Sequence, residues 1–219
     1  MSATAAPNQP DPSGDDINSQ LAKLGLTLKE ISKSRGLAQV DVDQCTDLDP
    51  LGFRGTIRTG RTMRYLREEL VVRGWRPDNS GNQSSVVSPD GRIAIVCTSG
   101  DPATGLLGCN PKSKYPKGEV TQRRVRKNLQ LSLFEPIEDE SSAVVDDERT
   151  TWVMLQHPAG ESVRAEISCP SGFDECGRID EWSERIVLPE LPVDTYEAWV
   201  PGSDEEDGGD ALDVPVSPR

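Results

Sequence analysis

The feature that most constrains this chain is an uninterrupted apolar run, Ile-Ala-Ile-Val at 93–96, which follows a turn signal. In that turn Pro89 fixes one backbone angle and Gly91 accepts a positive φ, so residues 84–88 and 92–98 are predicted to form a β-hairpin. The run does not alternate with polar residues, which indicates a strand buried on both faces. Such a strand needs a covering layer on each side, and we therefore expect an α+β fold.

Two helical patterns precede this hairpin. Residues 15–35 place apolar side chains on one helical face, at Ile17, Leu21, Leu24, Leu28 and Ile31. Gly25 leaves open whether this is one continuous helix. From Thr59 a second helix is predicted, with Gly74 at its C-terminal end. Its buried stripe would comprise Met63, Leu66 and Leu70.

The first helical region also resembles a helix-turn-helix over residues 27–42, with Gly36 at the turn. In that interpretation residues 38–49 would hold the recognition helix, yet they contain four Asp and no Lys or Arg. Acidic side chains repel DNA phosphates. The composition favours a helical packing or dimerisation unit over DNA recognition.

A second hairpin is predicted near the end of the chain, with strands at 150–156 and 162–168 and His157 in the turn. Apolar Val163, Ala165 and Ile167 alternate with Arg164, Glu166 and Ser168, a pattern typical of a strand with one solvated face. This hairpin and further apolar residues up to Leu188 would form a small β-rich unit.

Charge divides the chain into three parts. Residues 1–50 carry 4 Lys and Arg against 8 Asp and Glu, residues 51–134 carry 15 against 6, and residues 135–219 carry 5 against 23. The basic middle is suited to contact nucleic acid or to face the acidic last third.

Composition and pattern together predict seven segments. They are a disordered tail at 1–14, a helical segment at 15–50, a basic α+β unit at 51–128, a short motif at 129–134, an acidic linker at 135–149, a β-rich acidic unit at 150–200 and an acidic disordered tail at 201–219. The sequence leaves open whether the two structured units form one domain, and what the oligomeric state is.

The motif reads Gln130-Leu131-Ser132-Leu133-Phe134. It matches letter for letter, and so resembles, the peptide with which many bacterial replication and repair proteins bind the DNA polymerase III sliding clamp. The resemblance covers five residues of 219. It implies an extended peptide in a hydrophobic cleft of the clamp, with Gln130 hydrogen-bonded at one end and Leu133 and Phe134 in a pocket.

The same residues permit a second interpretation. Leu129, Leu131 and Leu133 alternate with polar residues, which is also the pattern of a half-buried strand. The flanks favour the clamp peptide, because Pro136 and the acidic run after it end regular structure and indicate a solvated linker.

No catalytic or metal chemistry is predicted. Residues 100–105 have the Gly-x-x-x-x-Gly skeleton of a phosphate loop, but two leucines follow where Lys and Ser or Thr are required. Six residues separate Cys169 from Cys176, a wider spacing than in zinc knuckles. His157 is the single histidine and has no nucleophile beside it in the sequence. We expect no enzyme, no metal and no cofactor.

The predicted function is therefore non-enzymatic docking on the sliding clamp, as an accessory or inhibitor of replication or repair. Residues 152–191 are faintly similar to uncharacterised prophage and mobile-element proteins, which implies a bacterial or phage setting. Two alternatives are a DNA-binding regulator that uses the helix-turn-helix and the basic middle, and an acidic DNA mimic. Weak non-specific DNA contact would involve Arg61, Arg64, Arg67, Arg123, Arg124, Arg126 and Lys127.

The sequence also bears on the compartment. An odd number of cysteines at irregular spacing favours reduced thiols, as in a cytoplasm. The sequence has no apolar run of membrane-spanning length, and its beginning does not read as a signal peptide. We expect a cytoplasmic protein without membrane contact.

Overall fold

The structure is a computed structural model, and it describes residues 14–133 and 149–193. Its helices are α1 (Gly14–Lys23), α2 (Leu28–Asp43), α3 (Phe53–Val71) and α4 (Glu119–Leu133). Its strands are β1 (Arg76–Asp78), β2 (Ser85–Val87), β3 (Ile93–Ser99), β4 (Thr150–Ala159), β5 (Ser162–Phe173) and β6 (Ile179–Pro192). The fold is α+β, as predicted. None of these four helices combines the length and apolar character needed to cross a membrane.

The six strands form one mixed sheet in chain order, β1-β2-β3-β4-β5-β6. All neighbours are antiparallel except β3 and β4, which run parallel from Ile93 opposite Thr150 to Ser99 opposite Gln156. Parallel neighbours require a crossover connection, and α4 lies within it. The basic segment 51–128 and the β-rich segment 150–200 thus contribute strands to the same sheet.

The sheet has a hydrophobic cluster on each face. Ile95 of β3 and Met154 of β4 pack with residues of α1, α2 and α3, whereas Val96 and Val153 pack with Val125 of α4. Neighbouring residues in a strand point to opposite faces. The prediction that the run at 93–96 is buried on both faces is confirmed.

The helix-turn-helix interpretation is wrong. Gly25 has a φ of +69° and separates α1 from α2. Thr27 and Glu30 then form a capping box, in which the Glu30 N–H donates to Thr27 Oγ1 at 3.2 Å and the Thr27 N–H donates to Glu30 Oε2 at 2.9 Å. From there α2 runs without a turn to Asp43, and Gly36 lies buried inside it.

The second helical prediction is confirmed in its core and wrong at its start. Met63, Leu66 and Leu70 are buried, and Gly74 has a φ of +84° directly after the helix. However, α3 begins at Phe53, well before Thr59.

Both hairpins are present, but the second differs in two respects. Its turn is at Gly160, with a φ of +67°, so His157 lies in β4 opposite Arg164 and not in a turn. The predicted solvated face is also wrong, because Glu166 and Ser168 are fully buried. The long loop after β3 covers them, and the Gly105 N–H donates to Glu166 Oε2 at 2.9 Å.

Several predictions fall outside the described residues. These are the N-terminal tail up to residue 13, Phe134 of the motif, residues 135–148 of the acidic linker and everything after 193.

Candidate functional site

Helix α4, which carries the start of the clamp motif, is fixed to the sheet by two buried side chains. Val125 packs with Val96, Val153 and Leu155 on one face of the sheet. Asn128 is buried one turn later. These contacts fix the position of α4 on the sheet.

Asn128 links α4 to β4 and β5 through its amide. Its Nδ2 donates to the Thr151 carbonyl at 2.8 Å and to the Pro170 carbonyl at 3.2 Å, while its Oδ1 accepts from the Thr151 N–H at 2.9 Å. Every group is buried, so each bond replaces solvation that burial removes. Leu129, the next residue, has 44% of its surface exposed.

The motif begins immediately after this anchored part. Gln130–Leu133 form the last residues of α4, and Phe134 lies outside the described residues. The strand interpretation of 129–133 is therefore wrong. Physically, Arg, Lys, Gln and Leu dominate residues 123–133, and these residue types have high helix propensity.

The helical backbone also differs from the extended form that the clamp resemblance implies. Gln130–Leu133 occupy the final turn of α4, where the last four carbonyls of a helix have no intrahelical partner. An extended bound form would require that turn to unwind.

The three predicted nucleic-acid residues of α3 all have partners in the protein. Arg61 Nε lies 3.2 Å from Asp41 Oδ2, and Arg64 Nε lies 2.8 Å from Glu68 Oε1. Arg67 donates to the carbonyls of Asp78 and Ser85 at 2.9 and 2.7 Å. Arg67 thus links α3 to β1 and β2, and these bonds occupy the guanidinium that a phosphate would otherwise bind.

The basic residues of α4 divide into two groups. Arg124 donates to Gln83 Oε1 at 2.8 Å and ties the helix to the turn before β2. Arg123 and Arg126 are exposed, and Lys127 is partly exposed. Arg123 and Arg126 are three positions apart in the helix and so lie on one side of it. The structure brings this pair together within two turns of the motif.

Lys117 is a chemically distinctive residue that the sequence did not single out. It lines a cleft of about 760 Å³ between α3, residues 81–84 and the start of α4. Its Nζ donates to Thr98 Oγ1 at 2.6 Å, and burial lowers its pKa to about 8. A lysine with that pKa is partly uncharged near neutrality and can act as a nucleophile. Nothing local in a Pro-Lys-Gly loop signals this.

The cysteines do not assemble with other ligands. All five are free thiols, with Cys169 buried and Cys176 exposed. Cys97 is partly buried, and burial raises its pKa to about 12, which keeps it in the unreactive thiol form. Across 14–133 and 149–193, no group of three or more His, Cys, Asp or Glu side chains is arranged to hold a metal ion.

His157 lies in β4 with its ring against the loop after β3. Its Nδ1 is 3.3 Å from the Gly100 carbonyl, and because a carbonyl only accepts, Nδ1 carries the hydrogen in this contact. The pKa of His157 is lowered, chiefly by burial. The ring is therefore neutral at physiological pH.

Comparisons with known proteins found no match among family models, curated proteins or solved structures.

Proposed function

We propose that this protein docks on the bacterial DNA polymerase III sliding clamp through residues 130–134, as an accessory or inhibitor of replication or repair. One observation carries the proposal. The Gln-Leu-Ser-Leu-Phe sequence matches the clamp-binding peptide at all five positions, and it stands at the C-terminal end of α4.

The anchoring of α4 supports this function because it attaches the motif to the folded part of the protein. Asn128 is buried and hydrogen-bonded to β4 and β5, and Leu129, the next residue, has 44% of its surface exposed. The motif therefore follows a fixed point of the fold.

The energetics permit the change from helix to extended peptide. Adding a residue to a helix end contributes at most about 0.3 kcal/mol, so unwinding one turn costs about 1 kcal/mol. Burial of a Leu and a Phe in a pocket gains roughly 3–6 kcal/mol in total. The gain exceeds the cost, and with the Gln hydrogen bond the upper end of the range comes within about 2 kcal/mol of the roughly 8 kcal/mol of micromolar binding.

The exposed pair Arg123 and Arg126 supports an additional weak contact with DNA phosphates. Two cations neutralise few phosphates, so the affinity would be low and would fall only modestly with salt. We assign this pair, and not the paired arginines of α3, to the non-specific contact.

A competition experiment tests the proposal. Purified clamp is immobilised, the full-length protein is bound, and a synthetic Gln-Leu-Ser-Leu-Phe peptide is added, with the scrambled peptide Leu-Ser-Phe-Gln-Leu as the matched control. The proposal predicts displacement by the motif peptide and none by the scrambled peptide. Absence of binding to the clamp, or equal displacement by both peptides, would refute it.

A further inference from the structure

A second cleft, of about 850 Å³, lies at the carboxyl ends of the parallel strands β3 and β4. Ser99, the last residue of β3, and Gln156, opposite it in β4, both line this cleft, as does Arg58 of α3. The carboxyl ends of neighbouring parallel strands are where α/β sheets commonly bind ligands. We call this feature the Arg58 cleft.

The Arg58 side chain is nearly buried, yet one of its buried hydrogen-bond donors has no acceptor. Only 8% of its surface is exposed. Its Nη2 donates to Gln39 Oε1 at 3.2 Å, whereas Nε is buried without any hydrogen-bond partner. Within the described residues Arg58 forms no ion pair with an Asp or Glu. Of the five N–H donors of this guanidinium, one hydrogen bond is formed through Nη2, and the buried Nε–H has no acceptor.

The carboxylate of Asp43 is linked to Arg58 through an amide. Gln39 Nε2 donates to Asp43 Oδ1 at 2.7 Å, so Gln39 stands between Arg58 and Asp43. Asp43 is exposed to solvent, which weakens its effect on a buried charge. A buried cation with one neutral acceptor is unfavourable unless an anion completes its shell.

The other charged groups around the cleft are in contact with the protein, Lys114 among them, whose Nζ lies 5.4 Å from the centroid of the Tyr115 ring. Arg178 pairs with Asp174 at 2.9 Å, and Asp101 Oδ1 accepts from the Ala103 N–H at 3.1 Å. Arg54 donates to the Cys45 carbonyl at 3.1 Å. Arg58 is distinguished from them by burial combined with a free donor.

We propose that the Arg58 cleft binds a small ligand through an anionic group, a carboxylate or a phosphate, whose oxygens accept hydrogen bonds from the Arg58 guanidinium. Planar, two-point hydrogen bonding to such oxygens is the interaction for which arginine is best suited. The proposal is independent of clamp docking, since it rests on Arg58 and the ends of β3 and β4 and on no residue of the motif.

The side-chain Nε–H resonance of Arg58 provides a direct readout. Full-length protein labelled with ¹⁵N is titrated with inorganic phosphate and, separately, with succinate, and sodium chloride at equal ionic strength serves as the control. We expect a saturable shift of the Arg58 Nε–H with phosphate or succinate, and the responding anion identifies the ligand's charged group. No saturable shift with either anion, or the same shift with chloride, would overturn the proposal.

A conservative variant completes the test. Arg58→Lys retains the charge but lacks the planar donors, and we expect it to weaken apparent affinity about 10- to 100-fold, the range for hydrogen bonds to a charged group. Arg64→Lys, at an exposed arginine paired with Glu68, is the matched control and should bind as the wild type does. Equal affinities for both variants would contradict the assignment. If Arg58→Lys does not fold, the wild-type titration decides alone.

Discussion

Arg185 and Glu166 form a two-point ion pair in the interior of the protein, with Nη2–Oε2 and Nε–Oε1 distances of 2.6 and 3.0 Å. Glu166 has no exposed surface. Its oxygens also accept from Ser168 Oγ and from the Gly105 N–H. Because Arg185 also donates to the Cys109 carbonyl, the pair fastens the loop after β3 onto the sheet.

Replacing Arg185 should lower the free energy of unfolding substantially. Arg185→Met leaves the Glu166 carboxylate buried and without its cation, and we expect the free energy of unfolding to fall by about 3–5 kcal/mol. Urea denaturation measures the change. The double variant Glu166→Gln/Arg185→Met removes the uncompensated charge and should recover part of the loss. A loss below about 1 kcal/mol for the single variant would contradict the buried pairing.

The pKa of Lys117 predicts selective labelling. With a pKa of about 8, the amine should react with an acylating reagent along a titration curve whose midpoint is near pH 8. Nα-acetyl-lysine, a free amine of ordinary pKa, serves as the reference and titrates near pH 10. Mass spectrometry of the labelled peptide gives the rate at each pH. Labelling of Lys117 that follows the reference compound would show that burial does not lower its pKa.

The charge division predicts an effect on DNA retention. In the structure part of the basic middle is already paired with the acidic last third, since Lys112 Nζ lies 3.2 Å from Asp180 and 3.4 Å from Asp174. Removing residues 135–219 would delete three of the six described strands, so this truncation cannot isolate the effect of charge on DNA retention. Deletion of 194–219 removes eight acidic residues and one Arg while it retains every described strand.

We expect that deletion to increase retention on immobilised duplex DNA at low salt, where screening is weak. The increase should disappear at high salt. A version of the full chain in which the same eight residues are Asn or Gln is the control for chain length and should be retained like the deletion variant. Retention equal to that of the wild type in both variants would exclude neutralisation by this segment.

A substitution at Asn128 tests whether the stability of α4 and the clamp binding of the motif are independent. Asn128→Ala removes three buried hydrogen bonds, and each buried group left unpaired costs about 1–3 kcal/mol, so the melting temperature should fall by roughly 5 °C or more. Clamp affinity should change by less than about threefold, because the motif itself is intact and its helical turn is easier to unwind. A large loss of affinity at a temperature where the variant is folded would contradict binding by a motif that unwinds from α4.

Local patterns predicted the elements that local chemistry determines. Gly91 and Gly74 occupy the positive-φ positions assigned to them, and the run at 93–96 is a central strand. The position of Gly36 misled the prediction, because a glycine in a helix interior is tolerated where tertiary packing and the Thr27 cap stabilise the helix.

Long-range contacts explain what local patterns missed. Glu166 alternates with apolar residues as a solvated side chain would, and only the fold supplies Arg185 and the covering loop that bury it. Arg58 likewise appears in the sequence as one of many arginines. Its burial depends on α3 lying across the ends of β3 and β4, which no local pattern indicates.

Binding of residues 130–134 to the sliding clamp can be tested directly with two variants of the protein. Leu133→Ala/Phe134→Ala removes both pocket anchors, a loss of about 3–5 kcal/mol or two to three orders of magnitude in affinity. Leu48→Ala/Leu51→Ala is the matched control, because both leucines are exposed and lie far from the motif in the sequence. Calorimetric titration of the purified clamp measures each affinity, and thermal unfolding checks each fold.

We predict micromolar binding for the wild type and the control, no detectable binding for the Leu133/Phe134 variant, and melting temperatures within about 2 °C of each other. Wild-type protein that does not bind the clamp, or a Leu133/Phe134 variant that binds it as tightly as the wild type, would contradict clamp binding through residues 130–134.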